Sequence, residues 1–199
     1  MKAAQINEYG HADIVKINEV EKPTLKAGQV LVEVHASSIN PFDTIVREGY
    51  MKEMIPLDLP VTLGGDIAGV VAEVSEEVHS VSVGDKVYGQ ANVVAGNSGA
   101  FAEFAATTAS QVAKMPTTLD FNEAAAVVLT GVSAIQALED HVKLQANQKI
   151  LIHGGSGGIG SVAIQIAKNI GAYVATTATG GGVEFVKSLG ADEVIDYES

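Results

Sequence analysis

The stretch Lys149–Gly171, KILIHGGSGGIGSVAIQIAKNIG, constrains this chain more than any other. It opens with an apolar run, Ile150, Leu151 and Ile152, as a buried parallel strand does. A glycine cluster follows, at Gly154, Gly155, Gly157, Gly158 and Gly160. Ile159, Val162, Ala163, Ile166, Ala167 and Ile170 then recur at helical spacing. The pattern is strand, tight turn, helix. Gly155, Gly157 and Gly160 fit G-x-G-x-x-G in the context that a dinucleotide fingerprint requires. Glycine lets the backbone approach a pyrophosphate and lets the helix pack on the strand. Unused N–H groups and the positive dipole at the helix start then hold the phosphates. The competing reading is a glycine-rich turn with no ligand.

The rest of the chain is read around this unit. With 199 residues there is room for one large or two small domains. A hydrophobic fraction of 47% and a charged fraction of 18% describe a globular chain with a buried core. No apolar run is long enough to span a bilayer. The start, MKAAQINEYG, lacks an apolar signal core, so export is not expected and the cytoplasm is the expected compartment. A net charge of −12 argues against nucleic acid or an anionic membrane as the main partner. There is no cysteine, which excludes disulfides, thiolate catalysis and Cys-ligated zinc.

Residues 1 to about 115 hold short strand-like runs between turn signals. They are Lys2–Ile6, Ile14–Val20, Val30–Ile39, Gly69–Val74, a turn at Val83–Val87 feeding a strand, and Phe101–Ala106. Such a series suggests a small barrel or sandwich. Near Pro116 the character changes. Phe121–Val142 is alanine-rich with helical spacing, and Asp120 is an N-cap candidate with Glu123 three residues on. A domain boundary is placed near residue 120. Helix, strand, glycine turn, helix, strand (Tyr173–Ala178), helix (Val183–Leu189) and strand (Glu193–Ile195) follow. That is the first βαβαβ half of a doubly wound sheet.

Several motifs occur in order: GQVLVEVHASSINPFD at Gly28–Asp43, GGDIAGVVAEV at Gly64–Val74, VGDKVYG at Val83–Gly89, GAFAEFA at Gly99–Ala105 and LTGVSAIQAL at Leu129–Leu138. With the glycine turn and LGADEVIDY at Leu189–Tyr197, they resemble the medium-chain dehydrogenase/reductase superfamily. Within it they are similar to the zinc-independent quinone oxidoreductase branch, the zeta-crystallin-like enzymes. The resemblance covers essentially the whole chain. It implies a GroES-like β-rich catalytic domain over residues 1–120 and part of a Rossmann NADP-binding domain over 121–199. Zinc-dependent relatives carry a cysteine in the segment matching Ser37–Asp43 and a histidine where this chain has Gly65. His11, His35, His79, His141 and His153 have no metal-ligand spacing.

The resemblance implies NADPH-dependent transfer of hydride, without metal, to a quinone or α,β-unsaturated carbonyl. Alternatives are an enoyl-thioester reductase and a truncated, non-catalytic nucleotide-binding module. Ser156, Gly157, Gly158 and Ile159 are expected on the pyrophosphate, chiefly through backbone N–H groups. Asn40 matches a position near nicotinamide and substrate, where an amide both donates and accepts. On the residues alone, Asn before Pro reads as a turn. Thr130 resembles a threonine near the carboxamide; the alternative is a helix residue bonding back to its own turn. Tyr50 is a looser match to a pocket wall, with a surface aromatic as an equal alternative. Asp43 and Asp66 read as structural acids.

The strand Tyr173–Ala178 ends without an acid, and Thr179 leaves room for a 2′-phosphate. Tyr197 matches a tyrosine that contributes to the phosphate site in the resembled family. Many NADPH-using members carry a basic residue just after this strand, whereas this chain has Gly180, Gly181 and Gly182, with Lys187 the nearest cation. Members of the family are longer. The resemblance implies that strands 4 to 6, part of the nicotinamide pocket and much of a homodimer interface lie beyond Ser199. The chain is then a fragment or a truncated product, with an open edge on its first Rossmann strand.

Overall fold

Val30, Val32, Ile67, Val71 and Val87 are almost wholly shielded from solvent in the computed structural model, which describes residues 1–198. They mark the inner face of the first of two compact units, Met1–Val128. Its strands are β1 (Lys2–Ile6), β2 (Lys16–Glu19), β3 (Gln29–Ala36), β4 (Val61–Thr62), β5 (Asp66–Val74), β6 (Lys86–Gln90), β7 (Phe104–Thr108) and β8 (Val112–Lys114). Two helices accompany them, α1 (Pro41–Arg47) and α2 (Phe121–Ala126).

Five strands form an antiparallel sheet in the order β7-β3-β5-β6-β8, and three more form β2-β1-β4. Val32 faces Val71 across β3 and β5, so the apolar alternation of both strands falls on one face. Ala91, Ala100, Ala105, Val78 and Val81 close that core. The β3–β5 pair carries register shifts, and beside one of them a Cβ on Gly69 would sit 2.0 Å from the Glu33 carbonyl oxygen. Only glycine permits this approach of two backbones. A second core gathers Ile6, Val46, Val61 and Leu63, with Tyr9, Phe42 and Phe101 packed around it.

Three expectations shift here. The strand expected over Val30–Ile39 ends at Ala36, because Ser37 and Ser38 turn their hydroxyls onto Asp66. The strand expected over Phe101–Ala106 begins at Phe104, because the Phe101 N–H donates to the Leu63 carbonyl instead. Asn40-Pro41, read as a turn, starts α1. Proline at the first helical position loses no bond, and the Asp43 carboxylate takes the Asn40 N–H at 2.7 Å.

The alanine-rich stretch expected to be one helix is three segments. Asp120 and Glu123 form the foreseen capping box, each side chain taking the other's backbone N–H at 2.9 Å. The first segment is α2, whose Ala124 and Ala125 pack on Ala68 of β5. It stops at Val127, and α3 (Val128–Ile135) follows. Gln136–His141 then widens to a π-helical turn, in which the Val142 N–H reaches back to the Ala137 carbonyl.

The second unit begins at Leu129. It holds β9 (Lys149–Ile152), α4 (Gly158–Ile170), β10 (Tyr173–Ala178), α5 (Gly181–Ser188) and β11 (Glu193–Asp196). The three strands are parallel in the order β11-β10-β9, with Thr176 opposite Ile152 and Thr177 opposite Ile195. Gly160, Ala163, Ile164 and Ala167 form the buried stripe of α4, at the spacing of one helix face. They meet Ile152, Val174 and Val186 in one core. Burying a side chain such as Ile164 contributes about 1.5–3 kcal/mol. Gly171, left-handed at φ 90°, ends α4. No helix among the described residues is long and apolar enough to cross a membrane.

Candidate functional site

The phosphate-binding candidate is built where β9 turns into α4. After Ile152 the chain is pinned to β10: the Gly154 N–H donates to Thr177 Oγ1 at 2.9 Å, and the Gly155 N–H to the Thr177 carbonyl at 3.1 Å. A Cβ on Gly155 would lie 2.1 Å from Thr176 Oγ1, and one on Gly160 would lie 2.4 Å from the Gly154 carbonyl oxygen. These two glycines exist to let turn, strand and helix touch. Gly157 differs in degree: its Cβ would lie 3.3 Å from the Gly154 oxygen, a tight contact that a shift of a few tenths of an ångström relieves.

The Gly157 N–H is committed to the Gly154 carbonyl at 3.0 Å, so it closes the turn rather than facing outward. The Ser161 N–H, bonded to the Gly157 carbonyl at 2.9 Å, is the first to find a helical acceptor. The N–H groups of Gly158 and Ile159 precede it and have no earlier turn to donate to. Both residues are exposed. The same turn draws in two more of the expected residues. A Cβ on Gly158 would meet Thr130 Cγ2 at 3.1 Å, and one on Gly182 would meet Ser156 at 3.1 Å. Thr130, Ser156, Gly157, Gly158 and Ile159 therefore share one small region. This cradle of close-packed glycines ahead of unused N–H donors fits a dinucleotide pyrophosphate.

Thr179 follows β10, and its hydroxyl donates to Glu198 Oε2 at 2.7 Å. Tyr197, beside that acid, is 65% exposed. Glu198 is the residue of this region that sequence reasoning missed. The only signal for it was an acid adjacent to Tyr197.

A separate polar cluster lies in the first unit, at the start of α1. Asp66 is 1% exposed, and three donors converge on it. Ser38 Oγ donates to Asp66 Oδ2 at 2.6 Å, Asn40 Nδ2 donates to the same oxygen at 2.8 Å, and Ser37 Oγ donates to the Asp66 carbonyl at 2.6 Å. Asn40 Nδ2 also donates to Ser38 Oγ at 3.1 Å. Both amide hydrogens are thus engaged, and the orientation is dictated by the carboxylate, which only accepts. Of its polar atoms only Oδ1, an acceptor that also faces the Asp43 backbone in the capping box of α1, remains for a ligand. In this arrangement the donor half of the role expected for Asn40 is taken up by Asp66 and Ser38. Burial pushes the Asp43 carboxyl above its ordinary range; the Asn40 N–H opposes this and the charge of Asp66 adds to it.

Tyr50 follows the far end of α1, which is about 10 Å long, and stands 77% exposed outside this hydrogen-bonded cluster. Among the described residues, no three His, Asp or Glu side chains are grouped to hold a metal ion.

Comparison with known proteins adds to this geometry. Residues 26–117 match the alcohol dehydrogenase GroES-like domain. The chloroplast envelope quinone oxidoreductase homolog of Arabidopsis thaliana is 38% identical over 100% of this chain and 62% of its own length. The 2-methylene-furan-3-one reductase of Solanum lycopersicum is 39% identical over 99% of this chain and 52% of its own length. Among solved structures, the Coxiella burnetii quinone oxidoreductase superposes with a TM-score of 0.90 at 34% identity, covering 100% of this chain and 62% of that one. The Escherichia coli quinone oxidoreductase complexed with NADPH gives 0.88 at 27% identity, covering 100% and 59%. CurK enoyl reductase gives 0.88 at 29% identity, covering 100% and 60%. The chain therefore spans between half and two thirds of the length of the proteins it matches.

Proposed function

The chain belongs to the quinone oxidoreductase branch of the medium-chain dehydrogenase/reductase superfamily, and from that premise we propose that it forms part of an NADPH-dependent reductase of quinones or α,β-unsaturated carbonyls that works without zinc. The observation that carries the proposal is the glycine turn. Gly155 and Gly160 admit no Cβ, and the N–H groups of Gly158 and Ile159 open α4 with no helical acceptor. Ser156, Gly158 and Ile159 are the proposed pyrophosphate ligands, Gly157 shapes the turn between them, and Thr130 flanks Gly158.

Bound NADPH supplies a hydride to an electrophilic carbon of the substrate. In the proposed division of labour, Asn40 contributes to orientation. Its Oδ1 accepts from a carboxamide N–H, while Asp66 and Ser38 hold the amide in that sense. Having no donor to spare, Asn40 does not stabilise oxygen charge, and the proton is taken from solvent. Tyr50 walls the pocket, and Thr179 and Tyr197 lie at the ribose end. Zinc independence is supported by the absence of cysteine and by Gly65 at the histidine position of zinc-dependent relatives. The likeness to an enoyl reductase favours a second reading, reduction of an enoyl thioester.

Titration of the chain with NADPH, followed by nicotinamide fluorescence, tests the reading; the chain has no tryptophan to interfere. Saturable binding with oxidation on adding a quinone is expected. Gly157→Asp abolishes both: its Cβ fits with a shift of a few tenths of an ångström from the Gly154 oxygen, 3.3 Å away, and its charge repels the pyrophosphate. Binding without turnover on quinone or enoyl thioester would reduce the chain to a nucleotide-binding module. A folded chain that binds no nucleotide would overturn the proposal.

A further inference from the structure

We infer that Glu198 sets the nucleotide selectivity of this site: it places a carboxylate at the ribose end, disfavours a 2′-phosphate and lets NADH compete with NADPH. The inference rests on the nucleotide reading above and deepens it. In doubly wound folds an acid about 20 residues past the glycine turn, at the end of the second strand, accepts from the ribose 2′-OH. Here the second strand is β10, and its end carries no acid: Ala178 is followed by Thr179 and then Gly180, Gly181 and Gly182.

The structure supplies the acid from elsewhere. Glu198 follows β11, which lies parallel beside β10, and its Oε2 accepts the Thr179 hydroxyl at 2.7 Å. Its own N–H donates to Asp196 Oδ1 at 3.1 Å, which ties the backbone back toward the strand. The acid that the strand end lacks in sequence is thus present in space.

Among the described residues nothing is seen to offset its charge. Among the described residues no cation pairs with Glu198. Lys187, the nearest cation along α5, is engaged with Glu184 Oε1 at 2.8 Å. The three glycines after Thr179 offer no side chain to a phosphate. A dianionic 2′-phosphate would therefore meet a carboxylate with no counter-charge, whereas a 2′-hydroxyl would meet an acceptor. Tyr197 is a neutral donor that serves either ligand, whereas Thr179 has its one hydrogen on Glu198.

The test uses the whole chain and reads binding alone. NADPH and NADH are titrated by nicotinamide fluorescence, and 2′,5′-ADP and AMP by calorimetry, against wild type, Glu198→Gln and Glu198→Lys. The ratio of NADPH to NADH affinity is expected to rise about tenfold in Glu198→Gln and further in Glu198→Lys, with 2′,5′-ADP following NADPH. Because Glu198 is exposed, both variants are expected to melt with wild type. A ratio that stays within twofold in both variants, while wild type binds both nucleotides, overturns the role of Glu198 and leaves the nucleotide site standing. A folded wild type that binds neither nucleotide overturns both.

Discussion

Asn40 Nδ2 lies 2.8 Å from Asp66 Oδ2, and that contact fixes which way the amide is turned. The carboxylate takes the donor end, so the acceptor end remains. A residue whose side chain looks ambivalent in sequence is given one polarity by an acid 26 positions away.

Replacing that donor by a second acid reverses the contact. Asn40→Asp puts a carboxyl beside Asp66 and close to Asp43, so the folded state must keep a proton that the unfolded chain releases. Its stability falls as pH rises above the ordinary carboxylate range, with a loss of about 2 kcal/mol near neutrality. Wild-type Asp43, already raised by burial, gives a weaker slope of the same sign. Urea midpoints measured from pH 4 to 8 check this. A variant with the wild-type slope would show that Asp66 does not feel position 40.

The glycines of the turn separate by a single substitution each. Gly160→Ala drives a methyl to 2.4 Å from a backbone oxygen that cannot move aside, and is expected to cost at least about 1–3 kcal/mol. Gly157→Ala, whose methyl would lie a tight but yielding 3.3 Å from the same oxygen on an extended backbone at φ −78°, is expected to cost less than that. Denaturant unfolding of both variants orders the two costs, and equal costs would contradict the packing described.

Asp120 fastens the start of α2 by taking the Glu123 N–H at 2.9 Å. Asp120→Ala is expected to destabilise the first unit by about 1 kcal/mol, the usual worth of such a cap. Asp120→Asn, which keeps an acceptor, is expected to restore most of it, as a thermal-melt comparison would reveal.

Lys168 donates to Asp192 at 2.7 Å, and this bond, with the Val174 N–H, holds the Asp192 carboxyl below its ordinary range. A depressed carboxyl stabilises the fold above its unfolded pKa, about 3.9, and that contribution is lost as pH falls through the folded value. Protection of the Val174 amide against hydrogen exchange should therefore weaken on acidification below about pH 4. In Asp192→Asn the acid dependence should vanish, the protection being lower at every pH.

How much of this was legible depends on how local each cause is. The strand Tyr173–Ala178 and the capping pair Asp120–Glu123 were readable, because alternation and an i, i+3 pattern lie within a few residues. The helix α1 was hidden by Asn40-Pro41. The same dipeptide starts a turn or a helix, and the deciding bond comes from Asp43. The break at Val127 lies inside an unbroken run of helical spacing, and nothing in that spacing announces it. The glycine turn was legible as a motif, yet which N–H groups point outward was not, since Gly157 spends its own on Gly154. The polarity of Asn40 and the acid beside Thr179 each depend on a residue a strand or more distant.

The contact between Gly155 and Thr176 has a consequence for variation in this family of sequences. The threonine hydroxyl is held by the Ile152 carbonyl at 2.6 Å, so it cannot swing away from an added methyl. Tolerance at position 155 is therefore conditional on position 176, and on Ile164, whose Cδ1 would lie 2.9 Å from the added methyl. A scan that changes one residue at a time would record Gly155 as immutable, whereas Gly155→Ala joined to Thr176→Ala removes the 2.1 Å contact with the hydroxyl and leaves Ile164 Cδ1 at 2.9 Å and the Cβ of residue 176 at 3.1 Å to give way. The two positions are expected to be epistatic: a methyl at 155 costs less once the hydroxyl at 176 is gone.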